Sequence, residues 1–449
     1  MKVCKFGGSS VATAEQIDAV CRIIQADPER RIVVVSAPGK RHSDDTKVTD
    51  LLIGLAQARL SNGDCDDALG AVVARYAEIA EGLGVPAARI DPISADLRSR
   101  LAESCDDKDL FTDSLKAAGE DNCARLVAEC LTARGLEAHY VGPREAGLVL
   151  SDEPGNAQVL DECYPRLAEL ADRPGVTVFP GFFGYARSGK LVTLPRGGSD
   201  TTGAVLAKAV NADVYENFTD VDAVFAANPN IVDEPTPIRE LTYREMRELA
   251  YAGFSVFHDE AIMPVFHAGI PIHIRNTNNP DGLGTRIVVE RPINNGPAVG
   301  IAAMDDVCSI YVRKYLMNRE VGFGRRLLTI LEDEGIPFEH LPSGIDDMSV
   351  LVREAFFPTD VEGRVVGRIR DELAGDDVSV ERGLSLVMIV GEGMRHTVGV
   401  AARACNALAR ANVNIEMINQ GSSEVSMMYG VKVEDMPRAV RSLYAEYFG

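Results

Sequence analysis

The sequence predicts an α/β fold followed by two small α+β modules, and three observations carry that expectation. Strand-like and helix-like segments alternate over about 290 residues, the pattern of a sheet covered by helices on both faces. Two glycine-rich stretches, Gly7-Gly8-Ser9-Ser10 and Gly197-Gly198-Ser199-Asp200, each stand between a strand and a helix. Beyond residue 297 the chain repeats itself at an offset of 77 residues.

Residues 3–6 read as a short apolar strand, the first glycines as a loop, and Thr13-Ala14-Glu15-Gln16 as a capping box opening a helix. Ile17, Val20, Cys21 and Ile24 then fall on one face of that helix. Residues 31–36 are a β-branched run of the kind buried on both faces of a parallel sheet, and Ala37-Pro38-Gly39 ends it. From about 50 to 135 the pattern is helical, with Leu69, Val72, Tyr76 and Ile79 as an apolar stripe and polar loops near 61–67 and 104–108. Strands resume at 138–141 and 176–179. A hairpin follows, 181–185 against 191–194, and a strand at 214–217 runs into Phe218-Thr219-Asp220-Val221-Asp222.

The segment 292–297, with Asn294-Asn295-Gly296 inside it, reads as a linker. It closes a first domain at 1–292 and leaves two repeats, 298–375 and 376–449. The offset of 77 pairs Gly322 with Gly399, Glu339 with Glu416, Gly344 with Gly421, Asp347 with Glu424 and Ser349 with Ser426. Each copy reads strand, helix, strand, turn, strand, helix. Modules this small bury little surface alone, so the two are expected to pack together.

Composition narrows the function. The chain has 449 residues, 46% of them apolar, enough for real cores and about three domains by length. Its 46 Lys and Arg stand against 67 Asp and Glu, a formal charge of −21 that repels nucleic acid and anionic lipid. No apolar run reaches the length of a membrane span, so no membrane partner is expected. Nine dispersed cysteines without a Cys-x-x-Cys read as reduced thiols in a cytoplasm, and seven histidines without ligand spacing leave no metal site.

The chemistry concentrates in the loops. In Lys5-Phe6-Gly7-Gly8-Ser9-Ser10, adjacent glycines let backbone N–H groups approach an anion at a helix N-terminus, and Lys5 reaches the same crevice. The same residues would also serve as a tight turn with a solvated lysine. In Pro195-Arg196-Gly197-Gly198-Ser199-Asp200-Thr201-Thr202, Ser199 or Asp200 can cap the helix and Arg196 offers a fork for a carboxylate or phosphate. A carboxylate at the end of the 214–217 strand lies where open α/β sheets bind ligands.

Together these three segments resemble aspartate kinases of the amino-acid kinase fold, and the resemblance covers essentially the whole chain. The 77-residue repeat resembles the paired ACT domains that regulate those enzymes, as does the stretch Ile418-Asn419-Gln420-Gly421-Ser422-Ser423-Glu424. The resemblance implies a carbamate-kinase-like α/β/α sandwich followed by two ferredoxin-like ACT domains, interleaved with the second threaded into the first, which softens the boundary near 375. It implies transfer of a phosphoryl group from ATP, with Mg²⁺, to the side-chain carboxylate of L-aspartate, on the route to lysine, threonine and methionine. Carried over by position, Lys5 would stabilise the transferring phosphoryl while Phe6, Gly7, Gly8 and Ser9 cradle the phosphates. Asp200 would organise Lys5. Arg196 would clamp the α-carboxylate of aspartate and Glu120 its α-ammonium, with Thr49 and Ser199 adding hydrogen bonds. Thr219, Asp220 and Phe225 would line the nucleotide pocket. The acceptor is a carboxylate already ionised at neutral pH, so no strong base is needed, and His42, His139 and His258 read as structural.

Two positions depart from the commoner family pattern: Asn230 and Ser255 stand where cations are usual near the ATP phosphates, with Lys47 or Arg275 as candidate replacements. In the first repeat the resemblance implies an effector site of Met317, Gly322, Phe323, Glu339, Ser343, Asp347, Met348 and Ser349. There helix amides would take a carboxylate, and Asp347 or Glu339 an ammonium, of lysine, threonine or both. It also implies a homo-oligomer, dimer or tetramer, joined through the ACT domains; because the chain stops shortly after the second repeat, no fused homoserine dehydrogenase is expected. Two other readings remain open: a kinase of another carboxylate, and a catalytically silent amino-acid sensor.

Overall fold

Six parallel strands form the centre of the sheet that dominates the N-terminal part of the chain. The structure is a computed structural model, and it describes residues 1–86, 91–254, 259–293, 296–421 and 425–449. Ser255, His258, the Asn294-Asn295 pair and Ser422-Ser423-Glu424 lie outside the described residues. In space the sheet runs Glu240–Thr242, Thr285–Val288, Ile272–Asn276, Val214–Thr219, Lys2–Phe6, Arg30–Val35, Val176–Pro180, Ala138–Tyr140. Thr285–Val288 is antiparallel to its neighbour and Glu240–Thr242 follows it, so these two strands oppose the other six.

Val33 and Val35 are wholly buried, as expected of a strand covered on both faces. The core over them is made by the helices Ala14–Gln25, Val48–Leu60, Asp66–Gly82 and Lys108–Ala133. Thr13 caps the first of these, accepting from the Gln16 N–H at 3.3 Å, but the Gln16 side chain reaches Asn278 rather than closing the box. The expected hairpin forms as Phe183–Ala186 against Leu191–Thr193.

The chain divides into two compact units. One comprises Met1–Val224, Arg239–Tyr243 and Ser255–Arg291; the other comprises Phe225–Ile238, Arg244–Phe254 and Pro292–Gly449. Two segments numbered within the expected first domain therefore pack with the C-terminal residues. The reason is apolar: Ala227 and Val232 are buried among Ile301, Leu408 and Leu443, and Gly300 leaves room for Leu249, whose methyl would lie 3.0 Å from a Cβ there.

In this second unit one five-stranded sheet carries two cores. The long strands Gly300–Arg313 and Asp377–Val390 run antiparallel along their whole length. Val307–Arg313 pairs with Asp347–Arg353 over the helices Phe323–Asp333 and Thr359–Leu373. Leu384–Val390 pairs with Ser426–Lys432 over Val400–Arg410 and Met436–Phe448. Residues 300–304 thus belong with the second copy, which encloses the first, the reverse of the threading expected from sequence. The offset holds at 77 through the helices, where Gly322 and Gly399 both sit at the N-cap with φ 82° and 89°. It changes at the next turn: Asp347 faces Arg313 as Ser426 faces Val390, which places the third strands 79 apart. Ser349 and Ser426 are therefore not equivalent, and two extra residues lie in the second copy's turn.

Candidate active site

The C-terminal ends of the parallel strands lie at one edge of the sheet, and the loops leaving them touch. Lys5, one residue before the end of its strand and 8% exposed, puts Nζ 2.6 Å from Asp200 Oδ1. Asn217, its neighbour in register on the adjacent strand, donates to the same oxygen at 2.8 Å. Asp200 lies in the first turn of the helix Gly198–Ala209, and it is not the cap expected from sequence. Gly197, at φ 83°, occupies the N-cap with no side-chain hydrogen bond, so the Asp200 carboxylate is left to hold Lys5.

Phe6 stacks on Phe218 with centroids 4.7 Å apart, fixing the two neighbouring strand ends. The Gly7 N–H then donates to the Phe218 carbonyl at 3.2 Å, and the Gly39 N–H to the Gly8 carbonyl at 2.8 Å. A Cβ on Gly39 would meet the Gly8 carbonyl carbon at 2.7 Å, so only glycine lets the two loops close on each other. Ser9 is exposed beside them. Gly181, after the next strand, has its N–H on Val35 and leaves no room for a Cβ against Ser199 at 2.6 Å. Ser199 is thereby drawn to the same edge.

Glu120 supplies the other charge. It lies on the helix Lys108–Ala133, 5% exposed, with Oε2 buried and without a hydrogen-bond partner. Burial pushes its carboxyl up to about 8, against the pull of the Ala37 N–H. The helix approaches so closely that a Cβ on Gly119 would meet Ala37 Cβ at 2.7 Å and Val48 Cγ1 at 3.7 Å. Thr49, half-buried, follows in the first turn of Val48–Leu60. A buried carboxylate with one vacant oxygen is suited to an ammonium ligand.

The remaining expected residues are placed differently. Arg196 is exposed one residue before the N-cap and makes no ion pair among the described residues. Thr219 ends its strand, half-buried, and its hydroxyl donates to exposed Asp220 at 3.2 Å. Phe225 belongs to the other unit. Arg275 is no substitute cation, because its guanidinium is committed to buried Glu216 at 2.9 Å, which also binds Arg30 at 2.6 Å. Lys47 is exposed and without a partner among the described residues. Sequence reasoning missed Asn217 and Gly181 as parts of this site, since each acts through contacts that no local pattern encodes.

In the second unit, Met317 and Phe323 are buried at the start of the helix Phe323–Asp333. The turn holding Ser343, Asp347 and Met348 adjoins that start: the Asn318 N–H donates to Ile345 O at 3.1 Å, and Met348 Cε would lie 3.5 Å from a Cβ on Gly324. The Ser349 N–H donates to Pro342 O at 2.9 Å, holding the same turn closed. Glu339 stands apart, its Oε1 taken by Arg353 at 2.8 Å and its Oε2 by the Tyr251 hydroxyl.

The amino acid kinase family matches residues 1–276, and the ACT domain matches residues 387–447. Aspartokinase 3 of Bacillus subtilis is 54% identical, over 100% of this chain and 99% of its own length. The crystal structure of Clostridium acetobutylicum aspartate kinase, called an allosteric enzyme, superposes with a TM-score of 0.90 at 35% identity and covers both chains fully. Aspartokinase III of E. coli, in complex with lysine and aspartate, superposes at 0.78 with 26% identity, again over both full chains.

Proposed function

This chain belongs to the amino acid kinase family, among its aspartate kinases, and from that premise we propose how its residues divide the work. It is a phosphotransferase with a carboxyl group as acceptor, regulated by feedback through its ACT repeat. The γ-phosphoryl of ATP passes to the side-chain carboxylate of L-aspartate: an oxygen–phosphorus bond forms to aspartate, the bond to the ADP oxygen breaks, and no proton is transferred. Such a reaction needs positioning and charge stabilisation; Lys5 supplies the charge, and the Gly8 backbone, beside a Gly7 N–H already given to Phe218, helps position the phosphates. Asp200 aims Lys5. Glu120 takes the α-ammonium of aspartate and exposed Arg196 its α-carboxylate, with Thr49 and Ser199 beside them. Thr219 and Asp220 serve the nucleotide. Mg²⁺, which prefers phosphate oxygens with one or two carboxylates, would arrive on the nucleotide and neutralise its charge.

The observation that carries the substrate assignment is the vacant, buried Glu120 oxygen at the same edge as the Lys5–Asp200 pair. A coupled assay of ADP release tests it. Turnover with aspartate and none with glutamate is expected; preference for glutamate would overturn it.

The effector is an amino acid, lysine or threonine, held where the helix start meets the 343–348 turn. Exposed Tyr315, Val321 and Ile345 around that start support a homo-oligomer joined there. Sedimentation with and without each amino acid tests both statements. A cytoplasmic location is supported by nine free thiols.

A further inference from the structure

One turn of the helix Asp66–Gly82 reaches both sides of the site. Arg75, its side chain 3% exposed, puts Nη1 2.7 Å from Asp45 Oδ2 and donates from Nη2 to the Gly39 carbonyl. Gly39 in turn holds Gly8 through its N–H and through backbone packing that admits no Cβ. The next residue, Tyr76, is wholly buried and donates to the Gly119 carbonyl at 2.7 Å, beside Glu120. Asp45 is itself fixed by Arg41, which donates from its backbone at 2.8 Å and from its guanidinium at 2.9 and 3.0 Å. A guanidinium buried this deeply is costly unless it is paired, and here Nη1 meets a carboxylate and Nη2 the loop carbonyl, while Nε is left without a hydrogen-bond partner.

We propose that Arg75 is a positioning residue for phosphoryl transfer, setting the Gly7-Gly8 loop through Gly39, while Tyr76 sets the aspartate side through Gly119. The proposal rests on the aspartate kinase reading. Lysine cannot replace Arg75, because a single ammonium cannot hold a carboxylate and a separate carbonyl in the same fixed geometry.

The test is steady-state kinetics on the full chain, varying ATP and aspartate separately. Arg75→Lys is expected to raise KM for ATP and lower kcat by about tenfold each, the scale of one charge-assisted hydrogen bond, with KM for aspartate within about twofold. Tyr76→Phe is expected to do the converse, raising KM for aspartate about fivefold with KM for ATP nearly unchanged. A wild-type KM for ATP and kcat in Arg75→Lys, or equal rises of both KM values in both variants, would overturn the proposal in favour of a purely structural role. Should Arg75→Lys not fold, Asp45→Asn removes the anchor and leaves Arg75 in place; an unchanged KM for ATP there overturns the proposal equally. A wild-type chain that releases no ADP with aspartate would instead overturn the reading on which the proposal rests.

Discussion

Lys5 has its ammonium held by Asp200 at 2.6 Å and almost no solvent around it, so its charge is preorganised rather than recruited during reaction. Lys5→Met keeps the side-chain volume and removes the charge. It is expected to lower kcat by about a thousandfold with little change in thermal midpoint, and near-normal kcat would show Lys5 misassigned. Glu120 makes a prediction in pH. Its folded carboxyl titrates near 8 against an ordinary 4.5, so the free protein holds that proton more tightly than the unfolded chain. The stability it contributes is fully present below about 4.5 and is lost as pH rises to about 8. Glu120→Gln should abolish that slope and melt higher than wild type at pH 8 in the absence of aspartate. Because the ammonium needs the carboxylate form, wild-type KM for aspartate should fall by up to about tenfold per pH unit between 6.5 and 8. A flat profile would remove Glu120 from the substrate site. Lys5 was legible in sequence from its place before the two glycines, whereas Glu120 and the pairing of Asp200 with Lys5 came only through the resemblance their motifs carry. The cap role given to Asp200 was the natural local reading, and it failed because Gly197, at positive φ, takes the N-cap and leaves Asp200 inside the first turn. Arg75 gave no signal at all, since its partner loop lies 36 residues away.

At the scale of elements, local patterns sufficed where the physics is local. The 3.6-residue stripe of Ala14–Gln25 and the β-branched run of Arg30–Val35 each had a single solution. What could not be read was pairing, because the repeat offset changes from 77 to 79 inside a turn that carries no apolar period. The helix starts at Gly322 and Gly399 show the repeat most clearly. Both lie at positive φ; a Cβ would find only Arg325 Nε at 4.0 Å at the first and nothing within 4 Å at the second. Alanine there is penalised by conformation alone, about 1–2 kcal/mol. Gly322→Ala and Gly399→Ala should therefore lower the thermal midpoint of the full chain by similar amounts. Only Gly322→Ala should raise the amino-acid concentration needed for half-inhibition, since the effector site is proposed at that helix start. Equal loss of inhibition in both variants would move the site away from the first copy.

Across the whole molecule, a charge of −21 opposes the binding of both ATP and aspartate. On the proposed assignment, affinity comes from cations and oriented amides gathered at one sheet edge, where Lys5 and the two glycine loops lie. The chain also crosses between its two units repeatedly. Within the second unit the sharing is closer still, because one strand serves both cores. Ile301 and Ile310 lie nine residues apart on Gly300–Arg313 and are both wholly buried, yet Ile301 packs in the second copy's core and Ile310 in the first's. Truncating a buried isoleucine to alanine costs about 2–5 kcal/mol at the core it leaves. Ile301→Ala should accelerate amide exchange in Val400–Arg410 and Met436–Phe448, far along the chain, and spare Phe323–Asp333. Ile310→Ala should do the reverse. Modules arranged one after the other, divided near 375, predict instead that both substitutions loosen Phe323–Asp333 and leave Val400–Arg410 protected, so exchange measured by mass spectrometry on the two full-length variants decides between the arrangements.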